Sequence, residues 1–293
     1  MIQTGQNFQQ VRSGIRFTTM QSNGGIFFVD SVNGSATGGR SPDGACATLI
    51  QGQSLCTAGK GDTVWVAPLH VESVVGAAGM TFSVDNVLYR GLGSGRQRPI
   101  ITFSTSTAAQ IIVSGSGITF ENIVFDFTGI DAIVAAISVT GSDVSFDGCE
   151  FICNSATAGV VLGILTAATA NRFRVENCRF LGAATNSGTT TTAQIKHEVG
   201  PDYIIRNNYF AGKMTQAILN ATTLLRGLID GNRFVIGTGT AAITMAAAST
   251  PFIVNNRMNV ASGTTPITAA AGFVAGNVYS AAAGVTAGTA VTI

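Results

Sequence analysis

A six-residue cadence of apolar, polar, corner, small or amide, polar and apolar positions recurs seven times along the chain. It reads FENIVF at 120–125, FDGCEF at 146–151, VENCRF at 175–180 and IRNNYF at 205–210, then IDGNRF at 229–234, IVNNRM at 253–258 and VAGNVY at 274–279. The third position is always asparagine or glycine: Asn122, Gly148, Asn177, Asn207, Gly231, Asn255 and Gly276. Successive corners are 26, 29, 30, 24, 24 and 21 residues apart, too uneven for a helical-repeat solenoid but suited to stacked coils with loops of different length. Each copy predicts two short strands meeting at a bend, because Gly and Asn tolerate the positive φ that a tight corner requires.

If copies stack in register at the ~4.8 Å spacing of neighbouring strands, like residues lie over like. Phe125, Phe151, Phe180, Phe210 and Phe234 then form an internal aromatic stack. The slot after the corner holds Ile123, Cys149 and Cys178, then Asn208, Asn232, Asn256 and Asn277. An amide both donates and accepts, so the second half of that slot is expected to be an asparagine ladder. Pleat alternation turns the positions flanking the corner toward solvent, among them Glu121 and Val124, Asp147 and Glu150, Glu176 and Arg179, and Asp230 and Arg233.

This rhythm resembles the coils of the right-handed parallel β-helix of the pectin-lyase-like superfamily. Upstream, residues 27–49 (FFVDSVNGSATGGRSPDGACATL) and 61–73 (GDTVWVAPLHVES) are similar to the entry segment and first coil of such proteins. The resemblance implies an all-β fold: a single-stranded right-handed parallel β-helix with a short N-terminal arm and a capping helix. The expected divisions are an arm over 1–25, an entry strand and capping segment over 26–60, coils over 61–279 and a tail over 280–293. Leu69 and His70 depart from the family's first coil, which often has a glycine and a small residue there; a lone histidine at such a strand end is expected to be a turn or interface residue.

Composition narrows the function classes. Only 11% of residues are charged, the formal net charge is +1, and mean hydropathy is +0.37 with 46% apolar residues, so part of the surface is expected to be buried against copies of the chain. Scattered basic residues argue against nucleic acid as a partner. The uncharged run 151–171 is interrupted by Asn154, Thr157, Thr166 and Asn171 and lies between two copies of the repeat, so no membrane span is expected. The opening MIQTGQNFQQVRSGIRF has no apolar signal-peptide core. Of the five cysteines, Cys149 and Cys178 share one slot in successive copies; a disulfide fits that spacing, but reduced core thiols are expected in a chain assembled in a cytoplasm. No CxxC or clustered histidine points to a metal, and no cofactor is implied.

Polysaccharide-cleaving β-helices need paired carboxylates, or an acidic calcium site with a basic residue. The densest acidic run is Asp143, Asp147 and Glu150, with Asp126 and Asp131 one coil earlier. Asp147 and Glu150 flank one corner and are the candidate acid pair, with Asp143 beside them; turn residues on a solvated rim are the expectation that outweighs it. The superfamily's polygalacturonase-type motifs are missing, and QIKH at 194–197 lacks their acidic partners. Catalysis is therefore not expected.

In the arm, Phe8, Val11 and Ile15 fall at helical spacing and Phe17 follows, which suits an anchor on a larger assembly or a clasp on a sister subunit, although Gly14 weakens the helix. The uncharged tail SAAAGVTAGTAVTI offers a segment that packs or pairs. Together these features resemble virion β-helices of tailed phages. The expected role is a trimeric, tailspike-like decoration protein on a phage head or other virion surface, docked on the major capsid or another virion protein. The alternative is a protein that binds or degrades cell-surface polysaccharide, as a tailspike depolymerase does.

Overall fold

The computed structural model describes residues 24–104, 106–183, 190–198, 200–222, 225–237, 241–260, 265–269, 271–281 and 289–290. The proposed anchor residues Phe8, Val11, Ile15 and Phe17, and most of the tail, lie outside them. The described chain winds as a right-handed parallel β-helix with three sheets, of ten, eight and ten strands among the described residues. Each coil supplies one strand to each sheet in turn, as Ser145–Asp147, Glu150–Cys153 and Leu162–Thr166 do.

The first and third sheets meet at the asparagine or glycine corner. All seven predicted corner residues have φ between 55° and 65°, and the backbone ladder runs on through the bend: Asn207 N donates to Asp230 O at 3.0 Å and Gly231 N to Val254 O at 3.2 Å. A two-residue corner is thus compatible with uninterrupted coil-to-coil pairing.

Inside, like residues stack. Phe125, Phe151, Phe180, Phe210 and Phe234 run in register with centroid separations of 5.1, 4.4, 4.6 and 4.9 Å and nearly parallel rings. A second column, Tyr89, Phe120 and Phe146, lies beside it. The second sheet contributes a ladder not anticipated from the corner motif: Ile111, Ile137, Ile164, Ile195, Ile218, Ile243 and Ile267 are successive register partners, all buried. Such columns bury each apolar side chain against its own kind above and below, so every coil shields its neighbours.

The N-terminal end is closed by Ile26–Val29, which pairs parallel with Thr63–Val66, and by the helix Leu49–Ser54. Thr48 and Gln51 form a reciprocal capping box at its start. Leu49, Gly52 and Gln53 face the core; a side chain at Gly52 would meet Val29 Cγ2 at 2.6 Å, so only glycine lets the helix lie this close. Gln53 carries the polar part of the closure, donating to Thr81 O and accepting from Ser83 N and the Tyr89 hydroxyl. At the other end, Thr289–Ala290 joins the third sheet by pairing antiparallel with Val278–Ala281, the last of its parallel strands.

Two expectations about exposure are corrected. Val124 is only 5% exposed, because the longer connection in the preceding coil brings Pro99 against it and Val124 N donates to Pro99 O. His70 is fully buried rather than displayed on a turn; its Nε2 lies 3.2 Å from Glu72 Oε2, the oxygen that also accepts from the first helical N–H, Leu49 N. The neighbouring Leu69 takes φ 62°, the left-handed conformation that a glycine would adopt more readily.

Candidate functional site

The asparagine slot is built from the corner geometry. In each coil the positive-φ residue turns the next side chain inward, where it is buried. Asn208 Nδ2 donates to Asn232 Oδ1 at 3.0 Å, Asn232 Nδ2 to Asn256 Oδ1 at 3.0 Å and Asn256 Nδ2 to Asn277 Oδ1 at 2.9 Å. The same oxygens accept from the backbone N–H of the preceding rung, and the same amides donate to a backbone carbonyl one coil back, such as Asn232 Nδ2 to Ile205 O at 2.9 Å. Cys178 continues the column: its N–H is held by Asn208 Oδ1 at 2.8 Å and burial pushes its thiol pKa upward. The five cysteines are free thiols, so Cys149 and Cys178 are not bonded to one another. Asn208, Asn232 and Asn256 are engaged on both sides and Asn277 closes the column by donating to Ile253 O, so these buried amides are spent on the fold.

The acidic candidates are dispersed over different partners. Glu150, with 13% of its side chain exposed, is gripped by Arg98 and faces Arg179 at 3.7 Å. Asp147 accepts from Asn177 Nδ2 at 2.7 Å. Asp143 is not beside them. It lies at the opposite end of the strand Ser145–Asp147, where Arg172 chelates it through two 2.6 Å bonds that pull its carboxyl below the usual carboxylate range. Asp126 caps its own turn through Thr128, and Asp131 accepts from Gly159 N at 2.9 Å. The rim expectation is also modified: Glu176, 16% exposed, pairs with Arg206 one coil on, and Glu121 with Arg90 one coil back.

Asp143 belongs to a second corner column, where the second sheet returns to the first. Asp143, Arg172, Asp202 and Arg226 all take φ between 55° and 64° on successive coils, and Arg226 chelates Asp202 as Arg172 chelates Asp143. Beside this column runs an outward line of register partners on the first sheet: Arg174, Ile204, Leu228, Phe252 and Phe273. Phe252 and Phe273 are 53% and 55% exposed with centroids 5.7 Å apart. Line and column together border a groove of about 770 Å³. On the third sheet, Arg233 and Arg257 are exposed register partners, with Arg233 lying 5.5 Å over the Tyr209 ring, and they border a smaller groove of about 400 Å³. Nothing in the corner motif marked either groove. The sequence-level signal for the second is that no acidic residue follows Asp230.

A second histidine also lies deep inside. His197 Nδ1 meets Thr166 Oγ1 at 2.5 Å, its Nε2 meets Gly200 O at 3.0 Å, and burial lowers its pKa to about 4. Enclosure also pushes the Cys153 thiol up to about 12. Neither is placed to meet a substrate. No group of three or more His, Cys, Asp or Glu side chains positioned to hold a metal occurs among the described residues, and no helix among them is long and apolar enough to cross a membrane.

No protein-family model and no curated protein matches the chain. Among solved structures it is similar to the pectate lyase Pel9A, at 12% identity and a TM-score of 0.60 over 85% of this chain and 68% of that one. A rhamnogalacturonan lyase (14% identity, TM-score 0.43, 83% and 84% covered) and the Dettilon tailspike protein gp208 (12%, 0.40, 79% and 56%) overlap less well. The first likeness concerns the fold alone: the chain is a right-handed parallel β-helix of the kind on which a pectate lyase is also built.

Proposed function

We propose that this chain is a structural subunit of a tailed-phage particle, a trimeric β-helix that decorates the head or another virion surface. The observation that supports this best is the commitment of its carboxylates. Glu150, Asp143, Asp202, Glu176 and Glu121 are each tied to an arginine, and all but the Asp147 and Asp230 rungs of the acidic corner positions are spent on such pairs. A hydrolase needs one carboxyl free to give a proton and a second free to take one or to attack. Here the acids join one coil to the next. In this reading the 1–25 segment anchors the subunit on the major capsid or another virion protein, and the column stands on the surface of the particle.

Polysaccharide binding or cleavage is the alternative that the fold leaves open. A polysaccharide-release assay on wild type and on Asp147→Ala and Glu150→Ala separates the two. The structural role predicts no release by any of them and subunits located on purified particles by immunogold labelling. A monomer with depolymerase activity that either substitution abolishes would overturn it.

A further inference from the structure

Two features of the described surface stand out as incomplete, and they overlap on the coil that carries Phe252 and Arg257. Phe252 and Phe273 present two half-exposed rings on the outer face of the first sheet. Arg233 and Arg257 stand directly next to one another on the outer face of the third sheet, and neither forms an ion pair among the described residues. Like charges in register repel, so such a pair is a cost to the isolated subunit unless something covers it. The strand Thr250–Val254 passes through the Asn255 corner straight into Arg257–Val260, so Phe252 and Arg257 lie at one height on two faces that flank one corner, with Phe273 one coil further on and Arg233 one coil earlier. That corner spans only two residues in each coil from Asn122 onward and carries no loop to hold a neighbour away.

We infer that these two faces are the halves of one heterologous interface: the Phe252 ring of one copy seats on the Arg257 guanidinium group of the next, with Phe273 and Arg233 extending the two faces by one coil in either direction. This rests on the structural reading above and names the surface that builds the trimer. A wedge with complementary faces on either side of one corner closes into a ring when each left face meets the next right face, with the corner toward the axis. A guanidinium group over a phenyl face is favourable, and aromatic and arginine side chains are enriched where proteins meet. The occupant is a second copy rather than an anionic ligand for the rings: of the arginines bordering the first-sheet groove, Arg172 and Arg226 are neutralised by Asp143 and Asp202, and Arg174, the one without an ion pair among the described residues, stands three coils from Phe252. The rings alone offer roughly 200 Å² between them. A stable interface needs about 800 Å² on each partner, so the contact extends along the Ile204 and Leu228 line and onto Val278, itself 45% exposed beside Arg257.

The test uses the full chain with cysteine pairs and sedimentation. Phe252→Cys combined with Arg257→Cys in one chain should cross-link under mild oxidation into a closed trimer on denaturing gels, while either single variant should not. Phe252→Ser with Phe273→Ser, and separately Arg257→Glu, should weaken association by about 100-fold or more, with circular dichroism unchanged. Cross-linked dimers from Phe252→Cys alone would mean a face meeting itself and would overturn the proposed pairing. Wild-type trimers that persist in both surface variants would place the interface elsewhere while leaving the structural role standing. A monomeric wild type whose variants lose affinity for an anionic polysaccharide would remove the interface and the structural role together.

Discussion

Replacing Asn232 by alanine takes one rung out of the amide ladder and leaves its neighbours facing a gap. Asn232 Oδ1 accepts from Asn208 N at 2.9 Å and Asn208 Nδ2 at 3.0 Å, while Nδ2 donates to Ile205 O at 2.9 Å and Asn256 Oδ1 at 3.0 Å. The Asn208 side chain keeps its bond to Val175 O and Asn256 Oδ1 keeps Asn232 N, so the group that loses its amide acceptor outright is the buried Asn208 N–H. An orphaned buried donor costs about 1–3 kcal/mol and each of the three further lost bonds about 1 kcal/mol, so the loss should reach roughly 4–6 kcal/mol. Asn232→Asp is the sharper variant. It keeps the acceptor for Asn208 N but sets an oxygen against Ile205 O and Asn256 Oδ1, a repulsion relieved when that carboxyl is protonated. Urea unfolding followed by circular dichroism should therefore show a large deficit for Asn232→Ala at all pH values, and for Asn232→Asp a deficit that shrinks as pH falls from 7 to 4. A cost below 1 kcal/mol for Asn232→Ala, or an Asp variant insensitive to pH, would refute the view that the ladder is a closed network.

Phe180→Ala removes the ring between Phe151 and Phe210 in the aromatic stack and should cost about 3–5 kcal/mol, measured by the shift in urea midpoint at constant slope. His197 has a folded pKa of about 4, below its ordinary value of 6.5, so the unfolded chain binds the extra proton between those values. Stability should accordingly be full above pH 6.5 and fall by roughly 3 kcal/mol as pH drops through 4, and His197→Gln should flatten the difference; parallel curves for both proteins would contradict it. Glu150→Ala leaves Arg98, whose side chain is 13% exposed, without its carboxylate and should lower the thermal midpoint, whereas Asp143→Ala, on a half-exposed pair, should change it little. Differential scanning calorimetry of the two variants distinguishes these outcomes.

The corner between the first and third sheets was legible because its spacing is rigid. Two apolar positions, one positive-φ residue and one inward side chain fall within six residues, so Asn232 and Phe234 can be aligned with their counterparts without knowing any loop. The isoleucine column of the second sheet escaped the same treatment. Its members are spaced by 26, 27, 31, 23, 25 and 24 residues, and each is separated from its corner by a connection of different length. The second column of corners was hidden for another reason: at 143, 172, 202 and 226 it is held by Asp and Arg rather than by the asparagine or glycine of the first column, and these residues ion-pair from one coil to the next. Glu150 was placed on a solvated rim because Arg98, 52 residues earlier, reaches it only through the long connection of the second coil. Cross-coil pairing of this kind depends on loop paths, which the local pattern does not encode.

The most direct test of a column built to assemble is its mass in solution. Sedimentation equilibrium of the full chain at micromolar concentration should return a single species of three times the 30.0 kDa subunit mass. A 30.0 kDa species at every concentration would contradict it.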